Sequence, residues 1–218
     1  MSFRLTARNL SCERDGRYLF EGLDLNVGSG DLVRVEGPNG SGKTTLLKIL
    51  CGQLGDYEGE IFWNEQPMRR ARGLFLANLL YMGHTPGVKA GLTALENLAW
   101  YQALVGEKSS EARRFKVLEE VGLAGFEDVP AAQLSAGQQR RIALARLALI
   151  ERPLWVLDEP FTAIDRHGVA ALEQRLLAQV KRGGSVLLTT HHDLAPLGRI
   201  KSIALGPGAS GERHVHHE

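Results

Sequence analysis

Short runs in which apolar and polar residues alternate, broken by turn-forming residues, fill the first sixty-odd positions of the chain. Residues 3–10 lead to the turn Arg14-Asp15-Gly16, and residues 22–27 lead to Gly28-Ser29-Gly30-Asp31. Successive side chains of a strand point to opposite faces, so this pattern predicts antiparallel strands. Residues 32–36, Leu-Val-Arg-Val-Glu, run into a glycine-rich loop, and residues 44–50 then read as a helix. Residues 59–63 are expected to return to the antiparallel layer. From 92 to 123 the apolar spacing becomes helical, with Leu95, Leu98, Ala99 and Gln102 in one segment and Phe115, Leu118 and Val121 in another. Ser135 begins a helix running to 150, after which 154–157, 169–180 and 185–190 alternate strand, helix, strand. That alternation predicts a parallel sheet covered by helices. The tail 206–218, with Pro207, glycines and histidines, is expected to be mobile.

Composition narrows the class. The 218 residues are 44% hydrophobic and 23% charged, enough for one domain with a substantial core. Lys and Arg total 26 against 25 acidic residues, and a net charge of +1 gives no global field for nucleic acid. The most apolar run, 142–150, is interrupted by Arg146 and falls short of the ~20 residues a spanning helix requires. Direct membrane insertion is therefore not expected, and any membrane association has to come from a protein partner. The first residues lack the apolar core of a secretory signal, which predicts a cytoplasmic protein. Cys12 and Cys51 stand far apart without ligand spacing, so both are read as reduced, with no disulfide and no zinc.

The strongest chemical signal is Gly37-Pro38-Asn39-Gly40-Ser41-Gly42-Lys43-Thr44. It fits the phosphate-loop pattern GxxxxGK[ST] at every fixed position and lies between strand and helix. Its glycines let backbone N–H groups turn inward around phosphate oxygens at the positive end of a helix dipole. Lys43 supplies a point charge, and the Thr44 hydroxyl is a Mg²⁺ ligand, with Thr45 next in the loop's reach. A second signal, Leu154-Trp155-Val156-Leu157-Asp158-Glu159, ends an apolar strand in two acids. Carboxylates at the carboxyl edge of a buried strand face the place where open α/β sheets bind ligands. Asp158 is expected to hold Mg²⁺, and Glu159 to orient or deprotonate the attacking water.

Between these sites lie Leu134, Ser135, Ala136, Gly137 and Gln138, followed by Gln139-Arg140-Arg141. The segment resembles the signature motif of ABC ATPases, with Ala136 where a second glycine is more usual. Ala163-Ile164-Asp165 resembles that family's D-loop, and His191 its switch histidine. The resemblance extends over about residues 3–205. It implies an α/β fold of the ABC-type P-loop ATPase class, with a mixed parallel core sheet, an N-terminal antiparallel β layer and an inserted helical subdomain. The core is expected at about 1–85 and 135–205 and the helical subdomain at about 90–134. It further implies ATP and Mg²⁺, catalytic roles for Lys43, Glu159 and His191, and a head-to-tail homodimer in which Ser135 meets the ATP of the opposite copy. An integral membrane permease is the implied partner, with the chain at the cytoplasmic face of the inner membrane.

Two positions depart from the family. Where glutamine is usual, upstream of the segment 92–98, this chain has His84, whose neutral imidazole can ligand Mg²⁺ but whose charge is pH-sensitive. The position of the adenine-stacking aromatic is Arg14, whose guanidinium can substitute, and Tyr18 competes for the role. Residues 49–52, 80–89, 92–98 and 134–141 look like one subgroup, the ATP-binding subunits of bacterial cytochrome c maturation systems. That likeness implies ATP hydrolysis coupled to haem export or delivery. A transporter with other cargo, and a soluble ABC ATPase outside transport, remain the alternatives.

Overall fold

In the computed structural model, which describes residues 2–107, 110–194, 197–206 and 212–215, the alternating N-terminal pattern forms an antiparallel sheet. Its strands are β1 (Arg4–Arg14), β2 (Arg17–Gly28), β4 (Glu58–Trp63) and β5 (Gln66–Pro67), in the order β2-β1-β4-β5. Leu5 and Ala7 of β1, Leu23, Leu25 and Val27 of β2, and Ile61 and Trp63 of β4 are buried. Trp63 stacks on Phe3 at 5.0 Å and meets the edge of Phe75 at 5.3 Å.

The second sheet contains β3 (Leu32–Glu36), β6 (Leu79–Met82), β7 (Leu154–Asp158), β8 (Ser185–Thr189), β9 (Ile200–Ala204) and β10 (Glu212–Val215). Its order is β10-β9-β3-β8-β7-β6, with β9, β3, β8 and β7 parallel and β10 antiparallel to β9. Every residue of β7 and β8 is buried, as parallel strands covered on both faces require. Helices α1 (Lys43–Leu50), α2 (Met68–Asn78), α3 (Ala94–Leu104), α4 (Glu111–Glu120), α5 (Ala136–Leu149) and α6 (Arg166–Lys181), with a 3₁₀ turn at Ala131–Gln133, complete the described elements. No helix among the described residues is long and apolar enough to cross a membrane.

The chain forms two compact units. One comprises Met1–Tyr81, Arg152–Pro160 and Leu176–Glu218, and the other Met82–Glu151 and Phe161–Arg175. Sequence reasoning placed 135–150 with the core, but α5 packs with α3 and α4 in the second unit. Its Ile142, Ala143 and Ala145 are buried, as are Leu98 of α3 and Val117 and Leu118 of α4.

Three further departures have physical causes. Helix α2 was not foreseen because its arginines break the apolar stripe; only Ala71 and Phe75, one turn apart, are buried, while Arg69, Arg70 and Arg72 are exposed. Trp100, a large apolar side chain of the kind that fills cores, is only half-buried, with the Lys89 ammonium 4.7 Å from its ring. Most of the tail expected to be mobile lies outside the described residues, but 212–215 pair with β9, whose backbone otherwise presents a sheet edge.

Candidate nucleotide site

In the first unit, the loop 37–42 is shaped by contacts that exclude side chains at two of its glycines. A Cβ on Gly37, whose φ is 149°, would stand 2.5 Å from the Leu205 carbonyl oxygen and 2.6 Å from Ser41 Oγ. A Cβ on Gly42, with φ 92°, would stand 2.9 Å from Leu19 Cβ. Lys43 Nζ donates to the carbonyls of Gly37 at 2.7 Å and Pro38 at 3.1 Å, folding the loop around the ammonium. Pro38, Asn39 and Gly40 are exposed along the rim, while Thr44 and Thr45 are half-buried on the first turn of α1. Leu46, Leu47, Ile49 and Leu50 anchor that helix, which packs against β7. No acidic residue occupies its first turn, so the positive end of the dipole is left uncancelled.

The carboxylates sit at the end of β7. Asp158 is 1% exposed, and Thr189, its register partner on β8, donates its hydroxyl to Oδ1 at 2.7 Å. The same hydroxyl accepts the Glu159 N–H at 2.9 Å, and the Thr189 carbonyl accepts it at 3.2 Å. These bonds hold Glu159 at φ 48°, a left-handed conformation that costs a non-glycine residue about 1–3 kcal/mol. Strain of this kind clusters where a side chain has to be aimed. Here it brings Glu159 Oε1 to 3.7 Å from His191 Nε2, with His191 largely exposed beyond the end of β8. Thr189 was not singled out in the sequence; the available signal was a buried hydroxyl ending the apolar strand Ser-Val-Leu-Leu-Thr. Tyr81 lies in the same unit, its phenol pushed up to about 12 by burial and then by the neighbouring Cys51 and Asp158.

Two features fit a phosphate ester with a hard cation. Ser41 Oγ is buried without a hydrogen-bond partner among the described residues and lies against Gly37, a cradle with no room for a Cβ. The Thr44 hydroxyl and the Asp158 carboxylate offer oxygen alone, the donor chemistry of Mg²⁺.

The β1–β2 hairpin approaches this loop by a residue not anticipated. Arg17 Nη2 lies 3.8 Å from where a Cβ on Gly40 would stand, and Leu19, two residues on, touches Gly42. Tyr18, between them in β2, takes the opposite face and is 52% exposed; Arg14 pairs with Arg17 across the hairpin and is also exposed. Alternation along β2 therefore aims Arg17, rather than Tyr18, at the loop.

In the second unit, Ser135 caps α5. Its hydroxyl accepts the Gln138 N–H at 3.2 Å, and the Gln138 side-chain oxygen accepts the Ser135 N–H at 2.9 Å. Leu134 is buried and Ala136 exposed, and a Cβ on Gly137 would come within 3.1 Å of the Ala163 carbonyl. Asp165 accepts the Gly168 N–H at 2.8 Å and pairs with Arg141 at 2.5 Å, tying α6 to α5. The Gly168 hydrogen bond, with Arg141 and His167 nearby, holds the Asp165 carboxyl below the usual carboxylate range. His84 is exposed, and its carbonyl accepts from Arg140.

Comparison with known proteins places these features in context. Residues 20–162 match the family model described as ABC transporter. The chain is 57% identical over 203 residues to the cytochrome c biogenesis ATP-binding export protein CcmA of Hahella chejuensis, covering 93% of this chain and 95% of that one. The protein of the same name from Pseudomonas savastanoi pv. phaseolicola is 52% identical over 207 residues, covering 94% and 97%. Among solved structures, an ATP-binding subunit of an ABC transporter superposes with a TM-score of 0.84 at 26% identity, over 97% of this chain and 90% of the other. A dimeric bacterial ABC transporter cassette, MJ0796, superposes with a TM-score of 0.79 at 25% identity, over 98% and 100%.

Proposed function

The chain belongs to the ABC transporter family, and on that premise we propose that it is the ATP-hydrolysing, energy-coupling subunit of a transporter complex serving c-type cytochrome biogenesis. The observation that carries the chemistry is the constellation at the end of β7. Strained Glu159 is aimed beside His191, and Asp158, on the strand that packs against the phosphate-loop helix, is held by Thr189 of the neighbouring strand. The cytochrome assignment is supported by relatives named as cytochrome c biogenesis ATP-binding export proteins, at 57% and 52% identity.

In this reading the loop N–H groups and Lys43 bind the β- and γ-phosphates of ATP, and the hydroxyl of Ser41 faces the same cradle. Thr44 and Asp158 would hold Mg²⁺, with His84 where the family has glutamine, and the charge neutralisation this would supply is at the phosphate oxygens. Glu159 accepts a proton from the attacking water, and His191 donates a hydrogen bond toward the γ-phosphate. Two copies associate head to tail so that Ser135, Gly137 and the α5 dipole meet the partner copy's ATP, with Asp165 at the same interface. Association and release of the two copies work an integral membrane permease, and the chain is peripheral at the cytoplasmic face of the inner membrane.

Purification from host membranes in mild detergent, paired with the haem content of periplasmic cytochromes after deletion, tests the assignment. The expected result is a co-purifying cytochrome c maturation membrane subunit and loss of holocytochrome. A different permease together with intact cytochromes would discard the cytochrome role and leave the ATPase.

A further inference from the structure

The loop that carries His84 is rich in residues that leave a backbone loose, Gly83-His84-Thr85-Pro86-Gly87, yet its carbonyls are held by buried polar side chains of two helices. Arg140 of α5 is 3% exposed, and its Nη1 donates to the Gly83 carbonyl at 3.1 Å and to the His84 carbonyl at 3.2 Å. Tyr101 of α3 donates its hydroxyl to the Gly87 carbonyl at 2.5 Å. Asn97 of α3, fully buried, donates to the carbonyls of Lys89, Leu92 and Thr93 and accepts the Lys89 N–H at 2.7 Å. A guanidinium withdrawn from water is tolerated only while it is hydrogen-bonded, so Arg140 and these carbonyls hold each other in place. Arg140 is also five residues along α5 from Ser135, the cap of the same helix.

We propose that Arg140 is a positioning residue for His84, making the His84 loop and the Ser135 end of α5 a single mechanical piece. The proposal rests on the nucleotide-site reading above. In that reading His84 serves the ATP of its own copy, while Ser135 serves that of the partner copy. A shift of His84 on nucleotide binding is then transmitted through one buried side chain to the residue presented to the second site. Arg140 thereby couples the two ATP sites of the dimer.

The test is a double-mutant cycle on the full-length chain, with Arg140→Met and His84→Ala, measuring kcat, KM for ATP, Hill coefficient and melting temperature. Arg140→Met is expected to lower kcat about tenfold, the lower end of what an orienting partner contributes, at nearly unchanged KM. The Hill coefficient should fall toward one. In the His84→Ala background the same substitution should have less than about a twofold further effect, because the residue it positions is gone. If Arg140→Met does not fold, Arg140→Lys takes its place, keeping the charge and losing the planar fork, with the same non-additivity expected. Equal fold-losses in both backgrounds, or a kcat that merely tracks melting temperature, would overturn the proposal. So would a His84→Ala chain with wild-type turnover. The broader ATPase reading is judged separately by Lys43→Ala, which should abolish nucleotide binding whatever Arg140 does.

Discussion

Thr189→Val removes one oxygen that serves both Asp158 and Glu159 while keeping the shape of the side chain. The lost hydroxyl donates to Asp158 at 2.7 Å and accepts the Glu159 N–H at 2.9 Å. The amide keeps the Thr189 carbonyl at 3.2 Å, because valine retains it, so the loss falls mainly on the buried carboxylate. A hydrogen bond to an ionised group contributes about 1.5–3 kcal/mol. At roughly 2–4 °C per kcal/mol for a chain of this size, a loss near 2 kcal/mol lowers the melting temperature by about 4–8 °C. Function should fall further than stability does, since removing a group that orients a metal ligand typically costs about 10–100-fold in metal affinity or activity. The assay is steady-state ATP hydrolysis titrated with Mg²⁺, alongside nucleotide binding in chelator and thermal unfolding. The expected result is a Mg²⁺ requirement raised about tenfold or more, metal-free nucleotide binding unchanged, and recovery in Thr189→Ser. A valine chain with the wild-type Mg²⁺ dependence, or a serine chain as impaired as the valine one, would show that the Thr189 hydroxyl does not orient Asp158 for the cation.

Gly37→Ala should abolish ATP binding in a filter or calorimetric assay, because its Cβ would lie 2.5 Å from the Leu205 carbonyl and the loop has to shift to accept it. Arg17→Ala should raise the KM for ATP severalfold at unchanged kcat, whereas Tyr18→Ala should do little, since Arg17, unlike Tyr18, is on the face of β2 that meets the loop; steady-state kinetics at fixed salt separate the two. Burial pushes Tyr81 up to about 12, with Cys51 and then Asp158 adding to the shift, and burial pushes the Cys51 thiol well above its usual range. The fold favours the protonated forms, so their contribution is intact at neutral pH and is lost as pH rises past the ordinary values toward the raised ones. Unfolding followed by circular dichroism should show stability falling above about pH 9–10, and falling less steeply in Tyr81→Phe.

Legibility in the sequence followed how local each signal is. The phosphate loop, Asp158, Glu159 and the Ser135 cap were readable because each needs particular residue types at fixed spacing beside a strand or helix. What escaped depended on contacts between distant segments. Strands β6 and β9 are only four and five residues long, and α2 buries only two apolar side chains. Arg140 stood in the sequence only as part of the segment that follows Gln138, yet its guanidinium is buried against a loop more than fifty residues upstream. Thr189 and Arg17 owe their positions to strand register, Thr189 opposite Asp158 across β8 and β7 and Arg17 on the loop-facing side of a hairpin. Register cannot be fixed from either strand alone. The same cause explains why Tyr18 was a reasonable candidate and yet takes the other face.

The ATPase role of the β7 carboxylates is tested by ATP turnover of Glu159→Gln beside Lys43→Ala, with bound nucleotide and oligomeric state followed by analytical ultracentrifugation. Glu159→Gln is expected to bind ATP, accumulate as a dimer and turn over at least about a hundredfold more slowly than wild type, while Lys43→Ala binds no nucleotide and stays monomeric. Wild-type turnover in the Glu159→Gln chain would show that Glu159 does not serve the attacking water.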